Sequence, residues 1–174
     1  MNLLELNNLF LFCEEKNKKL YDHMERVSML CYATAKELSL TPKELELAYI
    51  SGLLHDVSKF VVDLNIDHYS IVSSTIISFL NDYQKVSNII LQSEERFDGK
   101  GYPLKLKNIE IELLAYILII SNYYDELRMQ GLEHNQAIEN LYSNSNLLFP
   151  NQIIVPFVNS IEKNDLQNYE YMEE

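Results

Sequence analysis

An imidazole beside a carboxylate is the first pairing in this chain that suggests chemistry. His55 and Asp56 are adjacent at the end of the apolar run Leu53-Leu54, and Lys59 follows them. A neutral histidine and an ionised aspartate suit Mn, Fe or Zn. An ion held there can acidify water and clamp phosphoryl oxygens. Lys59 comes about one helical turn after Asp56, which lets its ammonium reach the same cavity and meet a phosphate. The plainer alternative is an interior His–Asp hydrogen bond beside a surface lysine. Two further histidines, His23 and His68, flank the pair, whereas His134 falls in the polar run Glu133-His134-Asn135-Gln136 and is expected to be exposed. The other conspicuous stretch is Asp98-Gly99-Lys100-Gly101-Tyr102-Pro103, which uses two of only four glycines. Glycine supplies backbone angles that other residues resist and proline fixes the exit, so a rigid, kinked loop is predicted.

Helices must position these groups. Apolar residues recur at 3–4 spacing through Leu3, Leu6, Phe10 and Cys13, and again through Val27, Leu30, Thr34 and Leu38. Thr41-Pro42-Lys43-Glu44 reads as a capping box with proline at the first helical position. The helix it opens carries Leu45, Ala48 and Gly52 on one side and Leu47, Ile50 and Leu54 on the other. An apolar surface nearly all round predicts a central, buried helix that delivers His55 and Asp56 near its end. Further helices are predicted over 68–80, 83–94, 109–130, 134–143 and 151–162, with Asn108 capping the long one and Gly131 ending it. Pro156 predicts a kink or a late start in the last of these. No segment of real length alternates with period two, so the predicted class is all-α: a single-domain bundle of six to eight helices. Residues 1–19 would form an N-terminal helix, 20–163 the core and 164–174 an acidic tail.

Composition narrows the functions. The chain has 174 residues, 47% of them hydrophobic, enough for one domain with a buried core. A formal charge of −12 argues against nucleic acid as a partner. It leaves room for a small anion near the basic cluster Arg96, Lys100, Lys105 and Lys107. The longest apolar run, Leu113 to Ile120, is far short of the roughly 20 residues a membrane helix needs, so no membrane span is expected. That run suits a core helix better than a homodimer face. Cys13 and Cys31 are too few for a disulfide framework and are expected to be reduced core residues. With no secretory signal readable at the start, a cytoplasmic location is expected.

Taken together, these motifs resemble the HD-GYP family, a branch of the HD-domain metal-dependent phosphohydrolases, over roughly residues 20 to 160. His23 with Arg26-Val27 is similar to the family's first histidine motif. Leu53-Leu54-His55-Asp56 with Lys59 is similar to its HD motif, and His68 to the histidine that follows. Glu95-Arg96-Phe97-Asp98-Gly99-Lys100-Gly101-Tyr102-Pro103 is very similar to the stretch that names the family. Ile120-Ser121-Asn122-Tyr123-Tyr124-Asp125-Glu126-Leu127 resembles the later segment ending in a Tyr-Asp-Ala-Leu-like run. The resemblance implies an all-α fold, a bi- or trinuclear metal centre and hydrolysis of cyclic di-GMP.

The chain also departs from that pattern. Two histidines expected just before Glu95-Arg96 are replaced by Ser93 and Glu94. The late aspartate ligand falls on Asn122, and an acidic position one turn before the first histidine falls on Lys19. An Arg-Pro-Tyr-Arg-like segment keeps only Arg128. By resemblance, one metal would be held by His23, His55, Asp56 and Asn122, and a second by Asp56 and His68, with Glu94 standing in weakly. The cofactor expectation is therefore one Fe, Mn or Zn ion, or none.

The leading expectation is a degenerate signalling module without efficient phosphodiesterase activity. It would act through cyclic di-GMP or through a protein partner such as a diguanylate cyclase domain. Arg96, Gly101, Tyr102, Pro103 and Arg128 are then the candidate phosphate or partner contacts. The alternative is a working cyclic di-GMP phosphodiesterase with a reduced metal site, in which Asp56 and Lys59 carry the catalysis.

Overall fold

The computed structural model describes residues 11–61, 68–80 and 82–169. Eight α-helices follow one another, with no strand among the described residues: α1 Lys18–Glu37, α2 Pro42–Leu54, α3 Ser58–Val61, α4 Tyr69–Ser78, α5 Gln84–Leu91, α6 Leu113–Met129, α7 His134–Ser143 and α8 Ile154–Lys163. Residues 11–16 are helical as well. Leu3, Leu6 and Phe10, on which the first periodicity rests, lie outside the described residues, as does the end of the acidic tail from residue 170.

The site-bearing helices begin where local chemistry tells them to. Asn17 caps α1 by accepting a hydrogen bond from the Leu20 amide at 3.1 Å. At the head of α2, the Thr41 amide donates to Glu44 Oε2 at 2.9 Å and the Glu44 amide donates to Thr41 Oγ1 at 3.4 Å, completing the capping box. α2 buries Leu47, Ala48, Ser51, Gly52, Leu53 and Leu54. It lies against α1, α5 and α6 as the central helix that its all-round apolar surface predicts. Gly52 sets the spacing: a Cβ there would stand 2.6 Å from Ser28 Cα, so the backbones of α1 and α2 touch one turn before His55.

The long helix differs from its predicted start. Asn108 does not cap it. Its φ of 50° is left-handed, which asparagine tolerates, and it opens a short 3-10 turn over Asn108–Glu110. Helix α6 starts only at Leu113, flanked by Glu112 in an extended conformation. Its other end matches expectation. The Gly131 amide donates to the Arg128 carbonyl at 3.0 Å and the Leu132 amide to the Leu127 carbonyl at 3.2 Å, a Schellman motif. Pro156 is accommodated by a late start. Because α8 begins at Ile154, the proline falls in the first turn, where its missing amide is not needed.

The core joins α1, α2, α5, α6 and α8 through residues such as Leu30, Leu54, Ile90, Ile117, Leu118 and Phe157, all wholly buried. Each contributes roughly 1.5–3 kcal/mol by leaving water. The run from Leu113 to Ile120 belongs to this core from Ala115 onward. Cys13 and Cys31 are free and buried. Burial pushes their thiols up to about 11 and about 12, so both stay protonated and unreactive. No described helix is long and apolar enough to cross a membrane.

Candidate metal centre

Three of the sequence-predicted residues converge at the junction of α1, α2 and α6. His23 comes from α1, His55 ends α2, Asp56 follows it, and all three are buried. Their donor atoms lie within 4.8 Å of one another. His23 Nε2 is 3.7 Å and His55 Nε2 3.5 Å from Asp56 Oδ2. Ligands held at ~2.0–2.2 Å around a tetrahedral ion stand about 3.3–3.6 Å apart, so these spacings suit a shared cation.

The two rings are oriented by partners on their far sides. His23 Nδ1 donates to Asp125 Oδ2 at 2.7 Å, and Arg26 Nε donates to the other oxygen of Asp125 at 2.8 Å. His55 Nδ1 donates to the Gly52 carbonyl at 2.8 Å. Both partners only accept, so each Nδ1 carries its proton and each Nε2 is left on the side of Asp56. Burial lowers the His55 pKa, against the opposing pull of Asp56, so the ring is neutral near pH 7. Its Nε2 lone pair then meets Asn122 Oδ1 at 3.2 Å, one acceptor against another. Asn122 is held in that sense because its Nδ2 donates to Glu126 Oε1 at 3.0 Å. A buried acceptor facing an acceptor is costly when nothing lies between them. A cation among these atoms would satisfy both, so the donor set fits a divalent ion.

Burial pushes the Asp56 carboxyl up, but His55, Lys59 and His23 together outweigh it and hold it below its ordinary value. Lys59 Nζ donates directly to Asp56 Oδ2 and lies 5.1 Å from the Tyr69 ring centre. Asp125 behaves alike: burial raises it, while the bonds from His23 and Arg26 bring it below the usual carboxylate range. A cavity of about 250 Å³ opens onto the site, lined by Asn17, Lys19, His23, Asp56, Lys59 and Glu126 among others. Glu126 stands at its exposed mouth. The protein packed around its carboxyl raises its pKa, and the bond from Asn122 works in the opposite direction.

His68 and Glu94 are placed outside this cluster. His68, at the head of α4, shares a 2.9 Å hydrogen bond between its Nδ1 and Glu94 Oε2, and its ring stacks on Tyr102 with centres 3.6 Å apart. The other Glu94 oxygen accepts from the Ser70 amide at 3.1 Å. The Asp98–Pro103 loop is tied from within. Buried Glu95 accepts from the amides of Leu104, Lys105 and Leu106. Gly101 passes so near that a Cβ would lie 2.4 Å from Glu95 Cα. Arg96 pairs with Asp98, and Arg128 donates to the Tyr124 hydroxyl and the Gln167 carbonyl. His134 is half-buried, not exposed: its Nδ1 lies 2.7 Å from the Tyr124 hydroxyl, and burial lowers its pKa. Sequence reasoning singled out neither Asp125 and Gly52 as partners of the histidines nor Glu126 as a wall of the cavity. Only the i,i+4 spacing of Asn122 and Glu126 on one helix signalled the last.

The chain resembles known proteins in sequence and in fold. Over 129 residues the chain is 26% identical to the 3'3'-cGAMP-specific phosphodiesterase 1 of Vibrio cholerae, covering 66% of this chain and 30% of that protein. It is 30% identical over 123 residues to a cyclic di-GMP phosphodiesterase of Pseudomonas aeruginosa, covering 62% of this chain and 30% of the relative. The chain thus spans about a third of the length of these two relatives. Among solved structures, a HDG"Y"P protein from Bdellovibrio bacteriovorus superposes with a TM-score of 0.69 at 25% identity, over 82% of this chain and 52% of that one. A cyclic GMP-AMP-specific phosphodiesterase of V. cholerae reaches 0.75 at 14% identity, over 91% and 48%, a likeness of fold. The sequence profile described as HD domain matches residues 63–149, starting just beyond the His55-Asp56 pair that the structure supplies to the same bundle. With half its length matched and its all-α fold shared, the chain belongs to the HD-domain family.

Proposed function

We propose that this chain is a metal-dependent phosphodiesterase domain of HD type that opens a cyclic dinucleotide at a site built for one cation. The observation that carries this reading is the convergence of His23 Nε2, His55 Nε2 and Asp56 Oδ2, with both rings turned by acceptor-only partners. When bound, a Mn, Fe or Zn ion supplies Lewis acidity toward a phosphoryl oxygen and acidifies water. The chain's own groups do the rest. Asp125 and the Gly52 carbonyl hold the Nδ1 protons, so both imidazoles present Nε2 toward Asp56. Lys59, lying against Asp56, has an ammonium to offer the non-bridging phosphate oxygens. Lys19 adds positive charge to the wall that an anionic substrate passes. The catalytic unit is the bundle over residues 20–163.

The curated relatives are phosphodiesterases of cyclic dinucleotides, and this supports the substrate class. The sequence alone puts a non-hydrolytic module first; the converging donors and the relatives' activities move that reading to second place. The module reading retains one observation: His68 and Glu94 bond to each other and are not among the three converging donors.

The test is direct. The purified chain, loaded with Mn²⁺ or Fe²⁺, is incubated with cyclic di-GMP, cGAMP and cyclic di-AMP, and linear products are resolved by chromatography. Turnover that disappears in Asp56→Ala is expected. A metal-loaded chain that binds a cyclic dinucleotide and leaves it intact would overturn hydrolysis in favour of the module.

A further inference from the structure

A divalent cation held by His23, His55 and Asp56 would meet two neutral donors and one carboxylate, and Lys59 already draws on that carboxylate. A second carboxylate would bring the charge of the donor set to that of the ion. Among the described residues lining the cavity, Glu126 is the other acid. It lies one turn after Asn122 on α6. Helical side chains lean toward the N-terminus, so a residue at i+4 covers the turn behind its own Cα. The hydrogen bond from Asn122 Nδ2 to Glu126 Oε1, at 3.0 Å, shows that the carboxylate reaches back that far. Asn122 in turn stands 3.2 Å from His55. The neutral amide nearest the centre is thus tied to an acid that can take its place.

Resting on the metal-centre reading above, we propose that Glu126 is the second anionic ligand of the cation, its carboxylate entering from one turn further along α6 than Asn122. As placed, it is held by Asn122 and stands outside the three converging donors, so binding requires it to exchange the amide for the ion. Asn122 then acts as a positioning residue that holds the carboxylate at the cavity until the ion arrives.

Mn²⁺ alone, titrated into the full chain by calorimetry and followed by its electron paramagnetic resonance, tests this. Glu126→Gln should weaken Mn²⁺ binding at least ~10-fold, and Asn122→Asp combined with Glu126→Gln should recover most of the loss. Circular dichroism and thermal unfolding confirm that each variant is folded. If Glu126→Gln binds Mn²⁺ within a factor of about two of the unmodified chain while His55→Ala abolishes binding, Glu126 is not a ligand and the metal centre stands without it. A loss that the double variant leaves uncorrected overturns the assignment as well. If the unmodified chain binds no Mn²⁺, both the assignment and the metal-centre reading fall.

Discussion

Two corners of this molecule carry a histidine and an acid close together, and they differ in what those groups are free to do. At His23, His55 and Asp56 the far side of each ring is satisfied, and the near sides face one another across a buried space. At His68 and Glu94 the two residues satisfy each other. Both Glu94 oxygens are engaged, the imidazole is stacked on Tyr102, and the His68 side chain is 40% exposed. The lesson is that residue type alone does not make a candidate ion site. What counts is a set of donor atoms that the protein aims at one point.

The contrast is broken or sharpened by measurement. The largest effect should come from deleting one ring at each corner. His55→Ala should weaken Mn²⁺ binding by about 100-fold or more, and His68→Ala should change it by less than about threefold, both read by calorimetry. Equal losses would mean that the corners form one centre. Next come the acids behind the rings. Asp125→Asn should cost about 10–100-fold in Mn²⁺ affinity by releasing His23 from its orientation, whereas Glu94→Gln should leave affinity nearly unchanged.

The scaffold follows. Gly52→Ala places a methyl against the Ser28 backbone, forcing α1 and α2 apart beneath the first corner only. A loss of about 2 kcal/mol or more in denaturant unfolding, together with weaker Mn²⁺ binding, is expected. Gly101→Ala meets the Glu95 backbone equally closely. It should destabilise the chain to a similar degree and leave Mn²⁺ affinity alone.

The smallest effect belongs to His134, which sits in neither corner and separates acid effects on the fold from acid effects on the centre. Its folded pKa is depressed by burial. The unfolded chain therefore takes up the proton first as pH falls. The stability tied to the neutral ring is present above about 6.5 and is lost as pH drops below that value. Half-buried, it should contribute a fall in Tm on the order of 1 °C between pH 7.5 and 5.5, absent in His134→Gln.

The sequence exposes what neighbouring residues decide among themselves. The Thr41–Glu44 box, the stop at Gly131 and the late start before Pro156 are all interactions within a few positions, so their residue types suffice. The central burial of α2 is legible because its apolar residues run all the way round. Asn108 misleads because asparagine caps helices and also accepts left-handed backbone, and the sequence does not say which use prevails. His134 looks exposed until Tyr124, from a different helix, is brought against it. Pairings that span the fold are beyond local reading. Asp125 reaches His23 across 102 positions, and Glu94 reaches His68 across 26. The three residues that converge could be named from spacing and resemblance, but which acid would bond to its own neighbours could not.

Lys59 adds one consequence. Because its ammonium rests on Asp56, the pocket keeps an internal counter-ion that cannot diffuse away. The bundle can then mature in the absence of metal, without a bare carboxylate in its interior. On the proposed function, loading would be an exchange between this tethered monovalent guest and a free divalent one, and the displaced ammonium would stay beside the substrate's phosphate.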